Sequence, residues 1–211
     1  MIFLIFLLTT NTDSLVKYYL DIGQIDMAEK SCNLCDTFLL AEIAYFNYRY
    51  GQAVEYYNAV SPNSKYSNDA LYRLMLIKSN EEKILQSYTT AELLCRSKES
   101  ERGIQELKKL IAQGGLTSDS TTKNTITTWV YLLLIEVLRK SNNFDEAIKT
   151  SKSFISQFPD NDKLPQVKLK LGSIYATMGN REKAKEIYKE IILRHSTSSI
   201  AHIAREELDN L

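Results

Sequence analysis

The sequence is poor in helix-breaking residues and in cysteine. Its 211 residues include three prolines, seven glycines and three cysteines. So few prolines and glycines suit a chain that is mostly helical. Beyond the spaced pair Cys32 and Cys35 only Cys95 remains, so the chain cannot supply the four thiolates of a structural zinc site. We expect Cys32 and Cys35 to pack in the core rather than to form a metal or redox site.

The chain also has no net charge. It carries 26 basic and 26 acidic residues, so the basic excess typical of a nucleic-acid-binding surface is missing. With 44% hydrophobic and 25% charged residues, the composition is that of an ordinary soluble protein that can bury a substantial core. We expect no nucleic-acid partner.

Residues that would carry catalysis are scarce. His195 and His202 are the two histidines, and neither belongs to a metal-binding pair or to a nucleophile–base arrangement. Gly114 and Gly115 lack the Lys-Ser or Lys-Thr of a phosphate-binding loop. The carboxylates alternate with lysines, as on solvent-facing helices. The sequence therefore predicts no catalytic residue, no cofactor site and no metal site, and we expect a protein that is not an enzyme.

Residues 1–10 form an apolar N-terminus that ends at a polar stretch. Its apolar run is too short to span a bilayer, which needs about 20 residues. It is either a degenerate export signal or a cap in which Ile2, Leu4, Ile5 and Leu8 pack on the first helix pair. The signal interpretation slightly favours an exported or periplasmic protein over a cytoplasmic one. The compartment stays open, and no transmembrane segment is expected.

The clearest pattern in the chain lies between residues 165 and 195. A first amphipathic helix is indicated by apolar residues at helical spacing, namely Leu171, Ile174, Tyr175 and Met178. Gly179 and Asn180 then tolerate the left-handed backbone of a helix end and tight turn. A second helix follows with its own apolar stripe, Ala184, Ile187, Tyr188, Ile191 and Ile192. The segment predicts an antiparallel helical hairpin.

This hairpin resembles the tetratricopeptide repeat. Six residues match the repeat's pattern of Leu-Gly, aromatic, turn glycine, alanine and second aromatic, namely Leu171, Gly172, Tyr175, Gly179, Ala184 and Tyr188. Two positions depart from it, since Lys168 replaces the opening tryptophan and Ser196 replaces the closing proline.

Less regular copies of the same pattern extend over residues 11–211. We place repeats near residues 11–35, 37–61, 84–113, 128–159 and 165–195, an extra helix at 68–79 and a capping helix at 199–211. The polar stretch from Gly114 to Asn124 is the best candidate for a flexible loop. Trp129 to Ile135 is apolar without interruption, and its surroundings favour a buried helix over a strand.

The resemblance implies an all-α fold, an α-solenoid of stacked antiparallel helical hairpins that winds into a right-handed superhelix and ends in the capping helix. Its concave groove, lined by the first helix of each pair, would bind a peptide or a partner protein. The register of the repeats assigns seven residues to that groove: Tyr88, Glu92, Arg96, Trp129, Glu136, Arg139 and Lys140. The aromatic residues among them are more often core than contact. Leu169 and Ser173 stand where some family members hold a peptide carboxylate with Lys and Asn, so that mode is not predicted.

Two functional hypotheses follow from the resemblance. The favoured one is a non-enzymatic scaffold that binds a peptide or partner protein through the concave face. The alternative is a self-associating structural subunit of a larger envelope complex, that is, a homo-oligomer. The C-terminal sequence AHIAREELDNL resembles the endings of bacterial repeat proteins that assist outer-membrane assembly or envelope constriction, which implies a role in the cell envelope.

Overall fold

A computed structural model describes the backbone of residues 2–113 and 120–211 and the side chains of residues 12–113 and 126–211. Every regular element within these ranges is a helix, so the predicted all-α fold is confirmed. The helices are α1 (Ile2–Asp21), α2 (Ile25–Ser31), α3 (Thr37–Phe46), α4 (Tyr50–Asn58), α5 (Ser67–Lys78), α6 (Glu82–Arg96), α7 (Ser100–Ala112), α8 (Ser120–Lys140), α9 (Phe144–Gln157), α10 (Leu164–Thr177), α11 (Arg181–Arg194) and α12 (Ser199–Asp209).

Two predicted boundaries differ from the structure. Helix α8 begins at Ser120 rather than at Thr128, so the second part of the predicted polar loop is helical, and residues 114–119 lie outside the described residues. Helix α1 begins at Ile2. The side chains of residues 1–10 also lie outside the described part, and the choice between an export signal and a packed cap stays a prediction.

The chain divides into two compact units, Met1–Ile126 and Thr127–Leu211. In the first unit α1 pairs with α2, α3 with α4, and α6 with α7, while α5 packs on α4 and α6. Helix α3 is central to this unit. It contacts α1, α2, α4 and α6, and eight of its residues are buried, because its sequence Thr37–Phe46 is apolar almost throughout.

In the second unit α10 and α11 form a hairpin, α9 packs on α10, and α12 packs on α11 and α10. The core of this unit contains Leu171, Tyr175, Ala184, Tyr188, Ile191 and Ala204. Ala204 belongs to α12, and Ile200 and Leu208 of the same helix pack against that core. The C-terminal helix therefore covers the apolar side of the last hairpin.

Four hairpin turns share one backbone conformation. Each contains a residue with positive φ, namely Gly23 (72°), Tyr48 (59°), Asn142 (59°) and Gly179 (76°). In each turn the next residue donates its N–H to the carbonyl five residues back, over 2.8 or 2.9 Å, as in a Schellman motif. Five residues after each of these positions stands a fully buried alanine: Ala28, Ala53, Ala147 and Ala184. The turns of both units thus follow the same local rule.

Side chains define several helix starts. The carboxylate of Asp36 accepts the N–H of Phe38 at 2.8 Å at the start of α3, and Ser198 accepts the N–H of Ala201 at 3.2 Å at the start of α12. Pro165 stands in the first turn of α10, where its missing N–H costs no helical hydrogen bond.

Candidate partner-binding face

Several side chains of α8 that retain solvent exposure lie on one stripe of the helix. Trp129, Leu133, Glu136 and Lys140 are half-buried or exposed, and their spacing of four, three and four residues places them on one face. Arg139 borders this stripe and is also half-buried. The four predicted groove residues of the second unit thus lie on or beside one stripe of α8. We call Trp129, Glu136, Arg139, Lys140 and the neighbouring Lys170 the α8 face.

Glu136 is the centre of the α8 face. Its carboxylate accepts hydrogen bonds from Arg139 Nη2 at 2.7 Å and from Lys170 Nζ at 2.7 Å, and Lys140 Nζ lies 3.8 Å away. Lys170 belongs to α10, so this carboxylate ties α8 to α10. Lys170 was not among the groove residues predicted from the sequence, because only the placement of α10 beside α8 brings it to Glu136.

The α8 face is positively charged. Partial burial would raise the pKa of Glu136, but the hydrogen bonds from Arg139 and Lys170 outweigh that effect and lower the pKa to about 2. The carboxylate is therefore ionised at neutral pH. Because three cationic groups surround this one carboxylate, the cluster has two positive charges in excess. Such a surface attracts acidic groups and repels basic ones.

The three predicted groove residues of the first unit are placed differently. Tyr88 and Glu92 are each 5% exposed, and Arg96 is half-buried. They do not line an open surface, because α3 and α5 pack against α6 and Arg73 of α5 bonds directly to Glu92. The register of the repeat assigned these residues to an open groove, because it could not show that α3 and α5 pack against α6.

Arg73 joins two buried carboxylates in the first unit. Its Nε donates to Glu42 Oε1 at 2.8 Å, and its Nη1 donates to Glu92 Oε2 at 2.9 Å. Arg96 Nη2 adds a bond of 2.8 Å to Glu92 Oε1, and Tyr57 donates its hydroxyl to Glu42 Oε1 at 2.5 Å. Two arginines balance two glutamates, so the network joins α3, α5 and α6 without leaving a charge to bind a ligand.

The network fixes the ionisation of Glu92. Burial would raise the pKa of Glu92, but Arg73 and Arg96 outweigh it and lower the pKa to about 2. Glu42 and Arg73 were not singled out from the sequence. A single arginine in an amphipathic helix gives no local signal that separates it from a solvent-facing one, since long cationic side chains are common at helix surfaces.

The prediction that Cys32 and Cys35 pack in the core is wrong. Cys32 and Cys35 form a disulfide, with their Cα atoms 5.2 Å apart, and both are half-buried rather than packed in the core. The reason is their position, since Cys32 ends α2 and Cys35 directly precedes Asp36, the N-terminal cap of α3. Cys95 is a free thiol, and burial raises its pKa to about 12.

Other residue types associated with function are dispersed. His195 and His202 are exposed, and His202 Nδ1 lies 3.6 Å from Glu206 Oε1. Within the described ranges, no three His, Cys, Asp or Glu residues are grouped so that they could hold a metal ion. Nor does any helix of those ranges combine the length and apolarity needed to cross a membrane.

Successive helical hairpins, one of which has the charged α8 face on its first helix, define a protein of the helical-repeat class. In this class neighbouring hairpins bury each other's apolar sides. Comparison with known families agrees with this class. Residues 129–161 and residues 165–194 each match the tetratricopeptide repeat. The two matches lie in the second unit and support a tetratricopeptide repeat protein, a class that typically serves as an interaction scaffold. No curated protein matches the chain.

Proposed function

We propose that this chain is a non-enzymatic interaction module and that its α8 face binds a partner polypeptide. The observation that carries the proposal is the cluster around Glu136. Arg139 of α8 and Lys170 of α10 both donate hydrogen bonds to its carboxylate, and the cluster keeps an excess of positive charge. Arginine and tryptophan are the residue types that contribute most often to the binding energy of protein interfaces.

The chemistry of the face selects the partner segment. Excess positive charge favours a segment that carries Asp or Glu, because opposite charges steer association and like charges oppose it. Trp129 is half-buried, and in this proposal its ring would contact a side chain of that segment. Binding of this kind weakens as salt is added, because exposed charges are screened over about 10 Å at 0.1 M ionic strength.

The test uses the full chain to capture proteins from lysate of the native cell. The variant Arg139→Gln/Lys140→Gln removes two charges from the α8 face. The matched variant Lys149→Gln/Lys152→Gln removes two charges from exposed positions of α9. We expect a protein that is retained by the wild type and by the α9 variant, lost by the α8 variant, and released by salt. If the two variants retain the same proteins, the α8 face is not the binding surface.

Self-association is the second candidate function. It is favoured by apolar side chains on the outer side of α5, where Leu71 is 59% and Met75 is 54% exposed one helical turn apart. Size-exclusion chromatography with light scattering tests it. An oligomer that becomes a monomer in the variant Leu71→Lys/Met75→Lys supports self-association, whereas a monomeric wild type excludes it.

A role in cell-envelope assembly is the finer part of the proposal. It is supported by the resemblance of the C-terminal sequence to envelope-associated repeat proteins. Fractionation of the native cell tests it, since an envelope role requires the protein to be recovered with the envelope or the periplasm, and recovery from the cytoplasm alone contradicts it.

A further inference from the structure

Tyr48 occupies a backbone position that disfavours its side chain. The three equivalent turns of the chain use Gly23, Asn142 and Gly179, the residue types that tolerate positive φ. Tyr48 adopts φ 59° despite the steric cost that its Cβ imposes there. A strained residue of this kind is a reason to ask what its side chain does.

The side chain of Tyr48 forms one wall of an open cavity. This cavity has a volume of about 360 Å³ and is lined by the turn between α3 and α4, the start of α4, the end of α5 and the start of α6. Tyr50 forms a second, deeper wall, since it is 8% exposed while Tyr48 is 40% exposed. The two ring planes stand at 83° with their centroids 6.4 Å apart. Together the rings form an aromatic corner.

Two threonines of α6 fix the orientation of these rings. The hydroxyl of Tyr48 lies 3.0 Å from Thr90 Oγ1, and Tyr50 donates its hydroxyl to Thr89 Oγ1 at 3.0 Å. Because both hydroxyls are engaged at α6, the rings cannot rotate away without breaking these bonds. The aromatic corner is therefore pre-organised, which lowers the entropic cost of binding.

Counted together with Glu29, which pairs with Arg49, the charged groups at the cavity have one negative charge in excess. Glu82 lines the cavity, and the carboxylate of Glu82 accepts a hydrogen bond from the neutral amide of Gln86 at 3.1 Å, which does not cancel its charge. Arg49 also lines the cavity, but it pairs with Glu29 at 2.7 Å. Burial raises the pKa of Tyr50 to about 12, so its hydroxyl stays neutral at physiological pH.

We propose that this cavity binds a cationic side chain, lysine or arginine, presented by a partner polypeptide. The faces of Tyr48 and Tyr50 would attract the cation through the ring quadrupoles, and Glu82 would supply the counter-charge. An anion would be repelled by Glu82, and an apolar side chain would gain no charge interaction from it. The site lies in the first unit and is independent of the α8 face.

The test titrates the full chain, labelled at its tyrosine rings, by NMR. The probe is Nα-acetyl-lysine methylamide, and its neutral counterpart is Nα-acetyl-norleucine methylamide. We expect saturable shifts of the Tyr48 and Tyr50 rings with the lysine compound, and at least about tenfold weaker binding of the norleucine compound. Equal binding of the two compounds, or the absence of shifts at Tyr48, overturns the proposal.

Variants assign the binding to the cavity. Tyr48→Asn should weaken binding of the lysine compound at least about fivefold and keep the turn, because Asn142 adopts the same φ of 59°. Glu82→Gln should weaken it similarly, whereas Glu55→Gln, an equal charge change at an exposed position of α4, should not. Circular dichroism checks that each variant is folded, and Tyr48→Gly replaces Tyr48→Asn if helicity is lost. Unchanged affinity in a folded Tyr48 variant overturns the proposal.

Discussion

The ring of Tyr188 occupies the space that a side chain on Gly172 would need. A Cβ built on Gly172 would lie 2.5 Å from Cε1 of Tyr188, and Tyr188 is fully buried. Helices α10 and α11 therefore approach as closely as they do because residue 172 has no side chain. The repeat pattern contains both residues, and the structure shows that they touch.

Gly172→Ala should destabilise the second unit. The buried ring of Tyr188 would have to move, and overpacking of this kind typically costs about 1–3 kcal/mol. Chemical denaturation followed by the fluorescence of Trp129 measures the effect, since Trp129 is the single tryptophan of the chain.

Gly51→Ala is the control for that substitution. A Cβ on Gly51 of α4 would meet nothing within 4 Å, and alanine in a helix is favoured over glycine by about 0.5–1 kcal/mol. We expect a neutral or slightly stabilising effect, measured by circular dichroism. If Gly51→Ala is as costly as Gly172→Ala, the contact with Tyr188 is not the cause.

Two buried tyrosines of the first unit should respond differently to removal of their hydroxyls. Tyr57→Phe removes the donor to Glu42 and should cost about 1–2 kcal/mol, because a buried carboxylate loses a hydrogen bond. The hydroxyl of Tyr45 lies near Thr89 but makes no hydrogen bond of standard geometry among the described residues, so Tyr45→Phe should be neutral or stabilising. Urea denaturation compares the two variants, and an equal cost for both would refute this interpretation of the network.

Acid should destabilise the first unit through Glu92. The folded-state pKa of Glu92 is about 2, below the value of about 4.3 for an unfolded chain. The stabilisation is therefore complete above about pH 5 and is lost as the pH falls toward 2, a change on the order of 3 kcal/mol. Free energies of unfolding measured from pH 6 to pH 3 should decline less steeply in Glu92→Gln than in Glu55→Gln or the wild type. Parallel declines would show that Glu92 is not responsible.

The disulfide between Cys32 and Cys35 should contribute no more than about 2 kcal/mol to global stability. It closes a loop with a sequence separation of three residues, and so short a loop removes little entropy from the unfolded chain, about 2 kcal/mol in the loop-entropy model. Unfolding of Cys32→Ser/Cys35→Ser and of the reduced wild type should show losses no larger than this. A loss above about 4 kcal/mol in either, near the upper end for disulfides in general, would mean that the bond holds α2 and α3 in place.

Local sequence signals predicted much of the helical framework. Apolar residues at helical spacing indicated α10 and α11, and Gly179 with Ala184 marked the turn and the close approach that follows it. These signals work because helix formation and the Schellman turn depend on residues within one or two turns of the chain. They failed at the start of α8, where a polar stretch rich in Ser and Thr has weak helix propensity and yet begins the helix at Ser120.

The predicted groove residues differ in exposure between the two units. Trp129, Glu136 and Arg139 are half-buried and Lys140 is exposed, so their assignment to a groove stays a prediction. Tyr88 and Glu92 are buried, because α3 and α5 pack against α6. No local sequence pattern encodes which distant helix packs there.

The amino-acid sequence by itself determined the helices, the hairpin turns and the resemblance to the tetratricopeptide repeat, because apolar periodicity and turn residues act over short distances along the chain. Only the tertiary structure decided that Glu136 meets Lys170, that Arg73 lies between two buried glutamates, and that Tyr48 and Tyr50 form an aromatic corner. Each of these relationships joins different helices, and its geometry depends on how those helices pack rather than on the residues beside it in the sequence.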